Sequence, residues 1–201
     1  MKLETPQPRR AYRMTTRAEA AAATGERILD AAVEVFWEQP AAGISLDEVA
    51  RRAGVSVQTV IRRFGGKDGL FRAAAEREAA RVENQRDEAP VGDTEGAVRI
   101  LVDHYETTGD RVLALLAEED RVPPLRNVTE RGRELHRRWC ERVFAPALAG
   151  VSGADRRRRL AQLVAVCDVY TWKLLRRDSG LGRRQTELAL VELLDPILEG
   201  S

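Results

Sequence analysis

The chain is poor in cysteine and in aromatic side chains. Cys140 and Cys167 are its only thiols, and Phe, Trp and Tyr together make up 5% of its 201 residues. Two isolated thiols without a CxxC pair exclude a disulfide framework and point to a reducing compartment. No stretch approaches the roughly 18–20 apolar residues of a membrane span. The N-terminus carries Arg9, Arg10, Arg13 and Arg17 but lacks the apolar run of a signal peptide. The expectation is a soluble, cytoplasmic protein with no membrane partner. Neither sign of charge dominates, with 33 Lys plus Arg against 32 Asp plus Glu, so any electrostatic function must come from uneven distribution. Also missing are a nucleophile elbow, a phosphate loop, a metal quartet and paired catalytic carboxylates, and His104 and His136 form no recognisable constellation. His136 and Cys140 share a helix face at four-residue spacing and could join Cys167 or His104 around a soft metal, but a further ligand would have to come from elsewhere. The reading is therefore no catalytic residue, no metal and no cofactor.

What is present favours helices. Ala and Leu are frequent, Arg far outnumbers Lys, and long alternating runs of β-branched residues do not occur, so the expected fold class is all-α, with about nine helices. Residues 1–23 form a polar, basic arm containing Pro6 and Pro8, in which Lys2, Arg9, Arg10, Arg13 and Arg17 outnumber Glu4 and Glu19, and RAEAAAAT could extend the next helix. From near Thr24, Ile28, Ala32, Val35 and Phe36 recur on one face of an amphipathic helix that Pro40 and Gly43 end. In ISLDEVARRAG, Ser45 is an N-cap, Glu48 completes a capping box, Ile44 can staple against Val49, and Gly54 stops the helix. Ser56 then caps the two-turn helix VQTVIRRF, Gly65 and Gly66 break it, and Lys67 opens a longer helix to about Arg86. Pro90, Gly92 and Asp93 mark a domain boundary, giving a first domain of 24–90 and a second of 91–201. The second reads as helices at about 94–108, 110–118, 125–149, 154–177 and 183–199.

Two short helices joined by AGVS form a helix-turn-helix. Val60 and Phe64 lie four apart and pin the second helix from inside. Gln58, Thr59, Arg62 and Arg63 then fall on the opposite face. Arg can grip guanine O6 and N7 with two hydrogen bonds, and Gln can do the same to adenine N6 and N7. Val57 can meet a thymine methyl. Ser45, Ser56 and Lys67 stand at helix N-termini, where free backbone N–H groups favour phosphate. Double-stranded DNA is the expected partner, and the side-by-side arginines suit a surface that an anion covers. The arm either follows phosphates or the minor groove, or is a solubilising tail.

The stretch RILDAAVEVFWEQPAAGISLDEVARRAGVSVQTVIRRFGGKDGLF, from Arg27 to Phe71, resembles the DNA-binding domain of the TetR family of bacterial transcriptional regulators. The resemblance is specific over about 45 residues and loose over the rest of the chain. It implies a homodimer with a short N-terminal reading head and a larger helical ligand-binding domain, most often a repressor released from its operator by a small-molecule effector. Two positions depart from the family pattern: Ile61 stands where an aromatic is usual, and Arg63 where His or Tyr is usual. An operator sequence therefore does not transfer from relatives. A dimeric helical interaction protein with degraded DNA reading is the alternative these departures keep open.

In the second domain, the helices expected at 154–177 and 183–199 carry more apolar surface than one subunit can bury, which suggests a dimer interface; the resemblance implies the same. The middle helices supply the candidate effector pocket: His104, Tyr105, Leu115, Leu116, His136, Trp139, Cys140, Phe144 and Trp172 mix aromatics with a few polar groups. The effector itself is not legible.

Overall fold

Helix α1 begins at Arg9, well before Thr24, and runs to Glu38. The alanines at 18 and 20–23 continue the helix because nothing in that run breaks it, so the later part of the expected arm is helical. The computed structural model describes residues 9–39 and 43–199, with side chains from residue 18 onward except that of Pro124; Lys2, Glu4, Pro6, Pro8 and Pro40 lie outside it. The described residues form no strand. After α1 come α2 (Leu46–Ala53), α3 (Val57–Phe64), α4 (Lys67–Asp87), α5 (Thr94–Glu118), α6 (Pro123–Val143), α7 (Ala145–Leu148), α8 (Gly153–Val166), α9 (Val169–Lys173) and α10 (Arg183–Glu199); α9 runs on into a π turn, Leu174–Asp178. The chain divides inside α4, into compact units Met1–Ala75 and Glu76–Ser201. This division comes earlier than the turn at Pro90 that composition suggests.

The first unit is built on the α1 stripe. Ile28, Ala31, Ala32 and Val35 pack with Ile44, Val49, Ala50, Ala53, Val60 and Leu70, and Phe36 and Phe64 lean against them. Ile28, Val35, Val49 and Val60 are fully buried, each stabilising the unit by about 1.5–3 kcal/mol relative to exposure. Ser45 accepts the Glu48 backbone N–H at 3.2 Å. The return bond of a capping box gives way to a different use, because the Glu48 carboxylate binds Arg51 and Arg52. Gly54, at φ 65°, ends α2 in the left-handed conformation that its neighbours could not adopt cheaply.

In the second unit the chain departs from the expected breaks in three places. Gly109 does not interrupt α5. It is buried inside it, and a β-carbon there would stand 2.5 Å from the Trp172 ring. The missing side chain lets the ring approach, so the glycine serves packing between helices. The helix expected over 154–177 breaks at Cys167, where Asp168 restarts it by accepting the Tyr170 N–H at 2.9 Å. The helix expected over 125–149 breaks at Phe144, two residues before Pro146, which has no N–H to bond the Arg142 carbonyl and continue α6. Around these turns Leu101, Tyr105, Trp139, Phe144, Leu160, Leu163, Trp172, Leu190 and Leu194 form one core.

Candidate nucleic-acid interface

Helix α3 owes its position to both ends and one face. Ser56 accepts the Thr59 N–H at 3.2 Å, and its hydroxyl meets the Thr59 hydroxyl at 2.9 Å. The Gly65 N–H closes the other end on the Ile61 carbonyl at 2.8 Å. Val60 is fully buried and Phe64 half-buried against the first core. What remains outside is Gln58, Ile61, Arg62 and Arg63, with Val57, Thr59 and Lys67 half-buried and Ser45 and Ser56 exposed.

The cations of α2 and α3 differ in their partners. On α2, Arg51 and Arg52 both bind Glu48 at 2.7 Å, and Arg52 also binds Glu38 at 2.6 Å. Hydrogen bonds from Arg51 and then Arg52 hold the Glu48 carboxyl far below its ordinary range, at about 2. Among the described residues no carboxylate pairs with Arg62 or Arg63. These two also differ from each other. Arg62 stands free, whereas the Arg63 guanidinium lies over Gly25 of α1, 6.0 Å from the Phe64 ring centre. Lys67 sits 5.6 Å from the Phe71 ring.

Ile61, left without a role by sequence reasoning, is 39% exposed on this face. The signal was its spacing: it stands three residues from Gln58 and beside Arg62, so it widens the face with an apolar surface of the kind that meets a thymine methyl.

The candidate pocket residues of the second unit mostly enter its core. Tyr105, Trp139, Cys140, Phe144 and Trp172 belong to one buried cluster, with Leu116 against it and Leu115 half-buried. Tyr105 donates to the Cys167 carbonyl at 3.0 Å, and the Trp172 indole to Glu106 at 3.2 Å. His104 is buried, with its Nε2 at 3.2 Å from the Thr108 hydroxyl. Burial, then the Arg86 charge, push its imidazole down to about 3. His136 meets Arg86 through Nδ1 at 3.0 Å and the Val164 carbonyl through Nε2 at 3.2 Å. A guanidinium only donates, so Nδ1 accepts and a neutral ring carries its proton on Nε2. Cys140 Sγ lies 3.8 Å from that nitrogen. Of the nine candidates, Trp139 alone lines a cavity of about 320 Å³ between α4 and α6, and there its neighbour is Arg86.

A short capped helix, pinned inside and cationic outside, defines a helix-turn-helix in the first unit. Residues 28–74 match the model of bacterial regulatory proteins, tetR family. Over 50 residues the chain is 46% identical to the uncharacterized HTH-type transcriptional regulator TtgW of Pseudomonas putida, covering 25% of this chain and 37% of that protein. A crystal structure of a transcriptional regulator from Rhodococcus sp. Rha1 is similar over 88% of this chain and 96% of its own, at TM-score 0.66 and 24% identity. The structure of a TetR-family member from Streptomyces coelicolor A3 is similar over 85% and 97%, at 0.61 and 21%. A SmeT–triclosan complex is similar over 86% and 90%, at 0.64 and 20%. The family match covers residues 28–74, so it identifies a TetR-type DNA-binding region within the first unit, and the solved structures, at 20–24% identity, share the helical fold. No helix among the described residues is long and apolar enough to cross a membrane.

Proposed function

We propose that the chain is a cytoplasmic, homodimeric, non-enzymatic repressor that reads a two-fold operator with α3 and leaves it when a small molecule binds Glu76–Ser201. The observation that carries the DNA half is the outer face of α3, where Gln58, Ile61, Arg62 and Arg63 are exposed and the arginines have no carboxylate among the described residues. Gln58 and Arg62 act as base readers, Arg63 as a reader or phosphate contact, Val57 and Ile61 as methyl contacts, and Ser45, Ser56, Thr59 and Lys67 as phosphate contacts. The dimer half rests on Tyr170 at 53%, Leu174 at 58%, Leu188 at 47% and Leu193 at 45% exposure. These large apolar side chains on α9, its π turn and α10 suit a self-complementary interface. A triclosan-bound relative with the same fold supports a small-molecule site. Release requires only that the ligand bind one conformation better than the DNA-competent one.

The test is selection of sites from random duplex DNA by the purified protein, followed by salt titration on the winner. A two-fold site weakened by Arg62→Ala supports the reading. Binding that is salt-sensitive but blind to sequence returns the protein to a helical interaction role with degraded DNA reading, with Ile61 as the mark of that loss.

A further inference from the structure

The second unit contains a charge that its own fold does not neutralise. Arg86, on the last turn of α4, is 6% exposed. Its Nη1 is on His136, and its guanidinium carbon lies 5.6 Å and 5.5 Å from the Tyr105 and Trp139 ring centres. Among the described residues no carboxylate pairs with it, and its Nε is the only buried side-chain nitrogen or oxygen with no hydrogen-bond partner. A buried cation without a counter-ion is costly, and two ring faces and a neutral imidazole offset only part of that cost.

The surroundings explain what would complete it. Arg86 lines the cavity of about 320 Å³, whose apolar wall is Val82, Leu135 and Trp139; this volume falls within the size of small-ligand sites. The Trp139 indole donates to the Arg86 carbonyl at 3.0 Å, which fixes the ring beside the guanidinium. Two further arginines line the same cavity, but both have internal partners: Arg142 binds Asp87 at 3.0 Å and Arg138 approaches Glu83 at 3.8 Å. The acids at the site are thus matched to those two, and Arg86 is the cation left over. With Nη1 held by His136, the buried Nε–H is the donor left without a partner. A guanidinium edge meets a carboxylate with parallel hydrogen bonds, which a point-like cation cannot do.

We infer that Arg86 anchors a small carboxylate ligand, its acid group on the Nε edge of the guanidinium and its apolar body against Trp139, Leu135 and Val82. This deepens the effector-responsive reading above and rests on it for any effect on DNA. The binding itself can be measured without DNA.

The experiment compares matched acids and amides on the full-length protein: benzoate with benzamide, and octanoate with octanamide, read by melting temperature and tryptophan fluorescence. At least one carboxylate should raise the melting temperature and quench fluorescence saturably, with its amide at least about tenfold weaker. Arg86→Gln and Arg86→Lys should each remove most of that preference. Equal binding of acid and amide, no binding of either pair, or retained acid preference in a folded Arg86→Gln protein would each overturn the inference. Should Arg86→Gln fail to fold, the acid–amide contrast on the unaltered protein still decides. Operator binding by the unaltered protein separates the two failures. Carboxylate binding without operator binding defeats the regulator reading alone, and operator binding without carboxylate preference defeats this inference alone.

Discussion

Arginines without a carboxylate occur in two very different places in this molecule. On α3 they are exposed, at Arg62 and Arg63; at the end of α4 one of them, Arg86, is buried. Water solvates the first pair at little cost, so their lack of partners is by itself weak information. What gives it meaning is the helix around them, which is capped at Ser56, closed at Gly65 and pinned by Val60. Arg86 has no such solvent, and its isolation is informative alone. A surface cation needs context to imply a ligand, whereas a buried one needs context to avoid implying one.

The contrast predicts that changes at the exposed site act on affinity and changes in the core act on stability. The largest effect is expected from Arg62→Glu. On the proposed reading it removes a base contact of about 1–3 kcal/mol and adds repulsion toward phosphate, so operator affinity should fall at least about 100-fold with the melting temperature unchanged. A drop in melting temperature instead would show that Arg62 is structural. Next is Gly109→Ala, which forces a methyl against the Trp172 ring. Overpacking of this kind costs about 1–3 kcal/mol, a fall of about 2–4 °C for each kcal/mol in a chain of this size. Calorimetry on the variant checks it.

A smaller effect concerns pH. His104 is held neutral in the native state, its imidazole pushed from 6.5 down to about 3 by burial and then by the Arg86 charge. The unfolded chain takes up the proton first, so this contribution to stability is fully present above pH 6.5 and is lost as pH falls toward 3. His104→Gln should flatten the acid limb of a urea-midpoint profile; an unchanged limb would place the acid sensitivity elsewhere. The smallest effect is expected from Gly25→Ala. The β-carbon meets only the flexible end of Arg63, so melting should hardly change while binding to random-sequence DNA rises by a few-fold.

The helix-turn-helix was legible because its signals are local. Ser45 and Ser56 precede their helices, Gly54 and Gly65 follow them, and Val60 and Phe64 are four apart, so short windows contain the whole argument. The same windows misled where the cause was distant. Gly109 reads as a break until Trp172 arrives from α9, and the restart at Asp168 competes with an apolar pattern that runs straight through it. Arg86 was invisible for a similar reason. It is one arginine among many on a charged helix, and its burial depends on Tyr105, His136 and Trp139 from α5 and α6.

If α3 reads DNA as proposed, Gly25 gives its two arginines unequal duties during search. With its guanidinium resting on the bare backbone of α1, Arg63 is withdrawn from a passing phosphate while Arg62 is offered to it. A protein scanning non-target DNA then grips with one charge fewer than it owns, which shortens each pause. The second arginine is released only where the groove rewards leaving α1, so a missing methyl group sets how long the protein lingers in the wrong place.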